Sequence, residues 1–216
     1  MKITDSIFQV DDVMGGPTVI VSADEVTLVD TGLPGNDDKI LAFIEALGHK
    51  RGALKHILLT HSDGDHIGSL PALAAASGAR VYAQREEADV IEGKHKSRGG
   101  QMVQTRVTVD QVVKEGDVLP IHGGIRVVES FGHTTGHVSY HVLAEDVLIA
   151  GDCLNNTNGL SGSQPQYTAD PEQAKKTVGK LAELGADSIC FGHGPAIVGG
   201  AREKLKKFQS GSRSPE

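Results

Sequence analysis

Six consecutive residues, His61-Ser62-Asp63-Gly64-Asp65-His66, bring two imidazoles and two carboxylates together. No single helix face could collect all four side chains at this spacing. A loop leaving a strand could point them alternately toward two centres. Three further segments set histidine or aspartate beside glycine: Gly132-His133-Thr134-Thr135-Gly136-His137, Gly151-Asp152 and Gly192-His193-Gly194. Each follows or edges an apolar run that reads as a strand. Ligands in loops held by a rigid sheet are what a metal site needs, and the glycines let the backbone turn while imidazoles converge. Imidazole with carboxylate suits zinc, iron or manganese. His49, His56, His95, His122 and His141 lie outside these segments and read as ordinary polar residues. His137 is left open between a ligand and a hydrogen-bonding support for one.

The elements that must carry these loops follow from the patterning. Ile3 to Val10, Thr18 to Val21 and Val26 to Val29 predict strands, the last two split by the polar Ser22-Ala23-Asp24-Glu25. Asn36 is placed to cap a helix to about Leu47, with Ile40, Leu41, Ile44 and Leu47 on one face. Leu54 to Leu59 predicts a strand ending at the histidine–aspartate cluster. Ile67 to Ala76 predicts a helix, with Pro71 in its first turn. Arg80 to Ala83 is a short strand and Arg85 to Ile91 a helix. Lys94 to Gln104 is polar and glycine-bearing, and reads as a mobile excursion. Ile125 to Ser130 is a strand, and Val138 to Leu143 with Val147 to Ala150 form a hairpin. After a polar loop over 155–168, Asp170 caps a helix with Pro171 at its first position, ending near Gly185. Ser188 to Phe191 and Gly200 to Phe208 close the chain as strand and helix. Strands followed by helix, strand and helix recur in each half. The pattern predicts an α/β fold of two similar halves, sheets face to face and helices outside.

The chain has 216 residues and a formal charge of −7. That length suits a single domain over residues 1–209, with 210–216 expected as a disordered tail. An acidic surface without a basic stripe repels phosphate backbones, and aromatics are only 4% with no Trp, so nucleic acid is not expected as a partner. No run reaches the roughly 18 apolar residues of a spanning helix, so no membrane partner is expected. The start, Met1-Lys2-Ile3-Thr4-Asp5, lacks the marks of a signal peptide, and the two cysteines, Cys153 and Cys190, make no disulfide framework. A reduced, cytoplasmic setting and a small-molecule substrate are expected, and a homodimer is compatible with the sequence. Gly15-Gly16 lacks the Gly-Lys-Ser/Thr ending of a phosphate loop.

The order of these segments resembles the signature of the metallo-β-lactamase superfamily: His-x-His-x-Asp-His, then a lone His, an Asp and a last His. The resemblance runs from Asp30-Thr31-Gly32 to Gly192-His193-Gly194. It implies an αββα four-layer sandwich and two divalent metal ions, zinc first, with iron or manganese as alternatives. It further implies that His61 and His133 ligate one ion, that Asp65, His66 and His193 ligate the other, and that Asp152 bridges both. The departure is Asp63, where the family usually has histidine. If Asp63 ligates, the site carries one more negative charge, polarises less and favours harder ions. A related branch, the flavodiiron proteins, also places a carboxylate here and binds iron.

The activity so implied is hydrolysis of a small ester-like bond by a metal-bound hydroxide, lactone or thioester before β-lactam. Asp65 would orient the nucleophile as well as ligate. Tyr167 is a candidate for steadying an oxyanion, against the competing reading of a surface or lid residue. Val13 and Met14 are expected to line an apolar wall of the substrate site. Two other classes stay open: an iron-containing redox or dioxygenase-type enzyme, and a non-catalytic metal-binding domain.

Overall fold

The computed structural model describes residues 1–102 and 105–211. The first sheet contains β1 (Ile7–Gln9), β2 (Thr18–Val21), β3 (Val26–Val29), β4 (Leu54–Leu58), β5 (Arg80–Gln84) and β6 (Gln111–Val113), in that spatial order. Its first three strands pair antiparallel, and β3 to β6 pair parallel. The second sheet begins with β7 (Val118–Leu119), β8 (Ile125–Glu129), β9 (Val138–Val142) and β10 (Val147–Ile149), all antiparallel. It ends with β13 (Ser188–Cys190), parallel to β10. Both sheets are mixed. A small ribbon joins β11 (Leu154–Asn155) to β12 (Ser161–Gly162).

Side chains alternate across a strand, so each sheet serves two cores at once. On the outer face of the first sheet, Leu28, Ile57 and Val81 pack with Ile40, Leu41 and Ile44 of α1 (Asp37–Ala46). The same layer takes in Leu70 and Leu73 of α3 (Leu70–Ser77) and Ala88 and Ile91 of α4 (Arg85–Ile91). On its inner face, Ile20, Val29, Leu58 and Tyr82 meet Val127, Tyr140, Val142 and Ile149 of the second sheet. Beyond that sheet, Val128, Leu148 and Ile189 pack with Val178 and Leu181 of α5 (Pro171–Leu184) and Leu205 of α6 (Ala201–Gly211). Three apolar layers between four structural ones make the αββα sandwich. At roughly 1.5–3 kcal/mol for each fully buried aliphatic side chain, these layers hold the sheet ends in place.

Several boundaries differ from the sequence expectation. The first strand is shorter, because Ile3 N and Thr4 N donate to Ile7 O and close a turn. Asn36 precedes α1 but does not cap it; its Oδ1 accepts from Leu33 N at 2.9 Å. The helix expected from Ile67 to Ala76 is two, α2 (Gly64–Ile67) and α3, separated at Gly68-Ser69, with Pro71 in the first turn of α3. Asp170 does cap α5, accepting from Gln173 N at 2.9 Å. The last helix runs on through Ser210 and Gly211, which were expected in the tail. The rest of that expected tail, 212–216, and residues 103 and 104 of the expected excursion lie outside the described residues. Among the described residues, no helix is long and apolar enough to cross a membrane.

Candidate metal centre

The ligand-bearing segments all leave strand ends on one side of the two sheets. His61 to His66 follow β4 and run into α2, His133 lies between β8 and β9, Asp152 follows β10, and His193 follows β13. Nε2 of His133 and of His61 lie 3.2 Å and 3.7 Å from Asp63 Oδ2. His193 Nε2 lies 3.3 Å from Asp65 Oδ2 and 3.2 Å from Asp152 Oδ2. His66 Nε2 is 3.2 Å from Asp152 Oδ1 and 3.8 Å from Asp65 Oδ2, and His133 Nε2 is 3.7 Å from Asp152 Oδ2. The side chains thus form three overlapping clusters able to hold a cation: His61 with Asp63 and His133, His61 with His66 and Asp152, and Asp65 with His66 and His193. All seven residues expected as ligands are brought together, with Asp152 between the two ends.

The supporting hydrogen bonds decide how each ring points. Asp30 accepts from Thr60 N at 2.8 Å, Thr60 Oγ1 at 2.7 Å and His66 Nδ1 at 2.8 Å. With its Nδ1 proton committed to Asp30, His66 turns Nε2 inward, the nitrogen that a cation would take on displacing its proton. His61 Nδ1 bonds Thr60 Oγ1 at 3.0 Å, and His133 Nδ1 bonds Ser163 Oγ at 2.9 Å, leaving the same inward nitrogen. His137 is different: its Nε2 accepts from Asp152 N at 3.1 Å and its Nδ1 meets Ser130 Oγ at 2.7 Å. Both its nitrogens are used, so it supports Asp152 rather than ligating. Thr31 N and Oγ1 both donate to His66 O, at 2.7 and 2.8 Å, which ties Asp30-Thr31-Gly32 to the ligand loop.

Glycine is required where the backbones crowd. A Cβ on Gly192 would lie 2.1 Å from Asp152 Oδ1, and one on Gly15, at φ 81°, would lie 2.0 Å from Asp65 O. Only a residue without a side chain fits either place.

Chemically the site selects cations. His61 Nε2, His66 Nε2 and Asp152 Oδ1 are buried and make no well-aligned hydrogen bond among the described residues, His66 Nε2 and Asp152 Oδ1 facing each other only as an ion pair at 3.2 Å. Unpartnered buried polar atoms are costly, and a divalent ion between them would satisfy all three. Burial opposes the charge on Asp152, yet His66 and His193 hold its carboxyl well below the usual range. Burial also opposes charge on His66, but Asp152 and Asp30 outweigh it and lift the imidazole well above its ordinary value. Hydrogen bonds to Asp152 and Asp65 raise His193 to about 9. Burial, then the neighbouring His66, keeps His61 neutral, and burial with His133 pushes His137 down to about 3. Burial opposes the charge on Asp63 and Asp65 as well, yet hydrogen bonds from His133 and Arg98 to the first and from His193 to the second hold both carboxyls below the usual range.

A cavity of about 300 Å³ opens above the ligands, bordered by Met14, Arg98, Asn155, Gln164 and Tyr167. Met14 and Tyr167 are more than half exposed at its rim. Val13 does not border this cavity: it is buried against Gly32 and packs into the outer apolar layer of the first sheet. Two contributors were not singled out in the sequence. Arg98 Nη2 donates to Asp63 Oδ2. Glu87, buried on α4, accepts from Ser62 N and Oγ with one oxygen and from Thr134 Oγ1 and Gly136 N with the other. Neither carries a local signal, since a charged residue on a helix or polar loop ordinarily reads as solvated.

A profile of the metallo-β-lactamase superfamily matches residues 12–193. The uncharacterised protein YobT of Bacillus subtilis (strain 168) is 29% identical over 215 residues, covering 89% of this chain and 90% of its own. A hydroxyacylglutathione hydrolase of Rhodobacter capsulatus is 29% identical over 171 residues; the match covers 77% of this chain and 59% of that enzyme, so this chain spans about three fifths of its length. Among solved structures, a metallo-β-lactamase family protein from Thermus thermophilus superposes with a TM-score of 0.75 at 22% identity, covering 98% of this chain and 81% of its own. BJP-1, a subclass B3 metallo-β-lactamase of Bradyrhizobium japonicum, gives 0.71 at 26% identity, covering 88% and 76%. The profile spans the ligand segments from His61 to His193, and the same four-layer fold recurs in the solved relatives. This chain belongs to the metallo-β-lactamase superfamily of metal-dependent hydrolases.

Proposed function

We propose that the protein hydrolyses a small ester-like bond, a thioester or lactone before a β-lactam, at a centre holding two divalent ions, zinc in preference to iron or manganese. The observation that carries this reading is the shared carboxylate. Asp152 has one oxygen toward His66 and the other toward His193 and His133, at the floor of an open cavity. The ions, when bound, supply Lewis acidity and an acidified water nucleophile. His61, Asp63 and His133 hold one, Asp65, His66 and His193 hold the other, and Asp152 serves both. Asp65 borders the cavity, where its carboxylate would also accept a hydrogen bond from a water nucleophile and orient it. Tyr167 positions the substrate from the rim, and Met14 gives it an apolar surface. The match to a protein named hydroxyacylglutathione hydrolase, a name that denotes a thioester substrate, supports placing thioesters in the first rank.

A panel of lactoylglutathione, acyl-homoserine lactones and nitrocefin, assayed with added zinc, manganese or iron, tests the proposal. Turnover of one class with a marked preference is expected. No turnover with any ion removes the ester-hydrolase reading. Iron without zinc in protein purified without added metal would move the assignment to a redox enzyme.

A further inference from the structure

Arg98 reaches the centre from a turn closed by Ser97 N donating to Gln101 O at 2.7 Å, in the polar stretch after α4. Its guanidinium donates to Asp63 Oδ2 on one side and lies over the Tyr167 ring on the other, 5.8 Å from the centroid. Asp63 Oδ2 is also the oxygen that faces His133 Nε2 and His61 Nε2. One carboxylate oxygen is thus shared between a fixed cation and the place where a metal ion would bind. The side chains of Arg98 and Asp63 are 27% and 18% exposed, so water screens the pair only in part.

Asp63 stands where the resemblance calls for a neutral histidine, and that exchange adds one negative charge to the ligand set. Arg98 returns one positive charge to the same oxygen. A guanidinium stays charged at every working pH, and its planar fork suits a carboxylate. Ring contact with Tyr167 keeps it from swinging freely into water.

We propose that Asp63 and Arg98 work as one unit in place of a histidine: Arg98 offsets the carboxylate and weakens the hold of the His61–Asp63–His133 position on a divalent ion. This rests on the metal-centre reading above and assigns Arg98 as a positioning residue that acts through Asp63. The aspartate alone would give a tighter, less polarising site, and the arginine restores the balance that a neutral ligand would provide.

The test is stepwise cobalt(II) and zinc(II) titration of the full chain, followed by cobalt absorption and chelator competition, with no substrate involved. The step that weakens in Asp63→Asn identifies the position. Arg98→Gln is expected to tighten that step by about tenfold or more, since a like charge beside the ion is removed. Arg98→Lys, which keeps the charge but loses the planar fork and the ring contact, should tighten the step less than Arg98→Gln does. In an Asp63→Asn background, Arg98→Gln should change the step by less than about threefold, because the guanidinium is no longer held there. Thermal melts of each variant check that the fold is intact. Unchanged or weaker binding by Arg98→Gln overturns the proposal. Equal tightening with and without the Asp63 carboxylate also overturns it, since that would be a general field effect. If the original protein binds no divalent ion, the metal-centre reading falls and this proposal with it. Binding that is indifferent to Arg98 removes the proposal alone.

Discussion

Asp30 never touches the place where an ion would sit, yet it orients His66. It is held at φ 62°, a conformation uncommon for a residue with a side chain, while its carboxylate collects two bonds from Thr60 and one from His66. Those bonds hold the aspartate in an unfavourable backbone region, and the aspartate in turn fixes the tautomer of a ligand. Asp30→Asn keeps the size and removes the charge. Zinc affinity, measured by chelator competition, is expected to fall by about 10–100-fold. An unchanged affinity would mean that packing alone sets the His66 ring. The sequence marks Asp30-Thr31-Gly32 only as the start of the family resemblance. Which imidazole it supports depends on β3 lying beside β4, a non-local pairing.

Helix α4 was legible in full, from Arg85 to Ile91, but its purpose was not. Glu87 on this helix clasps two ligand loops at once, Ser62 from the first sheet and Thr134 with Gly136 from the second. Burial pushes its carboxyl above the ordinary carboxylate range even though four donors favour the charged form. Glu87→Gln preserves the volume but replaces an acceptor oxygen with an NH₂ donor that meets other donors. We expect a loss of about 1–3 kcal/mol in urea unfolding, the range for leaving a buried donor without its acceptor. Weaker metal binding should accompany it, because the His61 and His133 loops lose their common tie. A stability change close to zero would show that the loops are held independently.

At the scale of the molecule, the ligands come from both halves of the sandwich, so bound ions would fasten the ends of two sheets that otherwise meet through their inner apolar layer. Ions that bind only the folded chain raise its stability by mass action, and a chelator should lower Tm. The size of that drop depends on pH. Without ions, His193 at about 9 carries a proton whose pairing stabilises the fold below the ordinary histidine value and is lost as pH rises through 9. Bound ions must displace that proton, so their affinity rises with pH. The gap in Tm between loaded and chelated protein should therefore widen from pH 6 to about 9, measured by calorimetry at constant free metal. A gap that stays constant with pH would mean His193 is not a ligand.

The amino-acid sequence by itself determined the chemistry and the layers. Histidines and aspartates among glycines, in an order that resembles one family's, point to a cation site, and apolar strands split by helices specify covered sheets. The seven candidate positions and the αββα order were legible through the order of the histidine–aspartate segments and the family it resembles, and the fold brings the seven side chains together. Only the tertiary structure decided which side chains serve the ligands. His137 is spent on Asp152 N and Ser130, Val13 belongs to the core, and Glu87 and Arg98 join the site from a helix and a polar turn. Those roles depend on contacts between residues far apart in the chain, set by how the sheets stack and the loops cross. Asp63 shows the division most clearly: its type announces an extra charge, and only the fold brings Arg98 to its side.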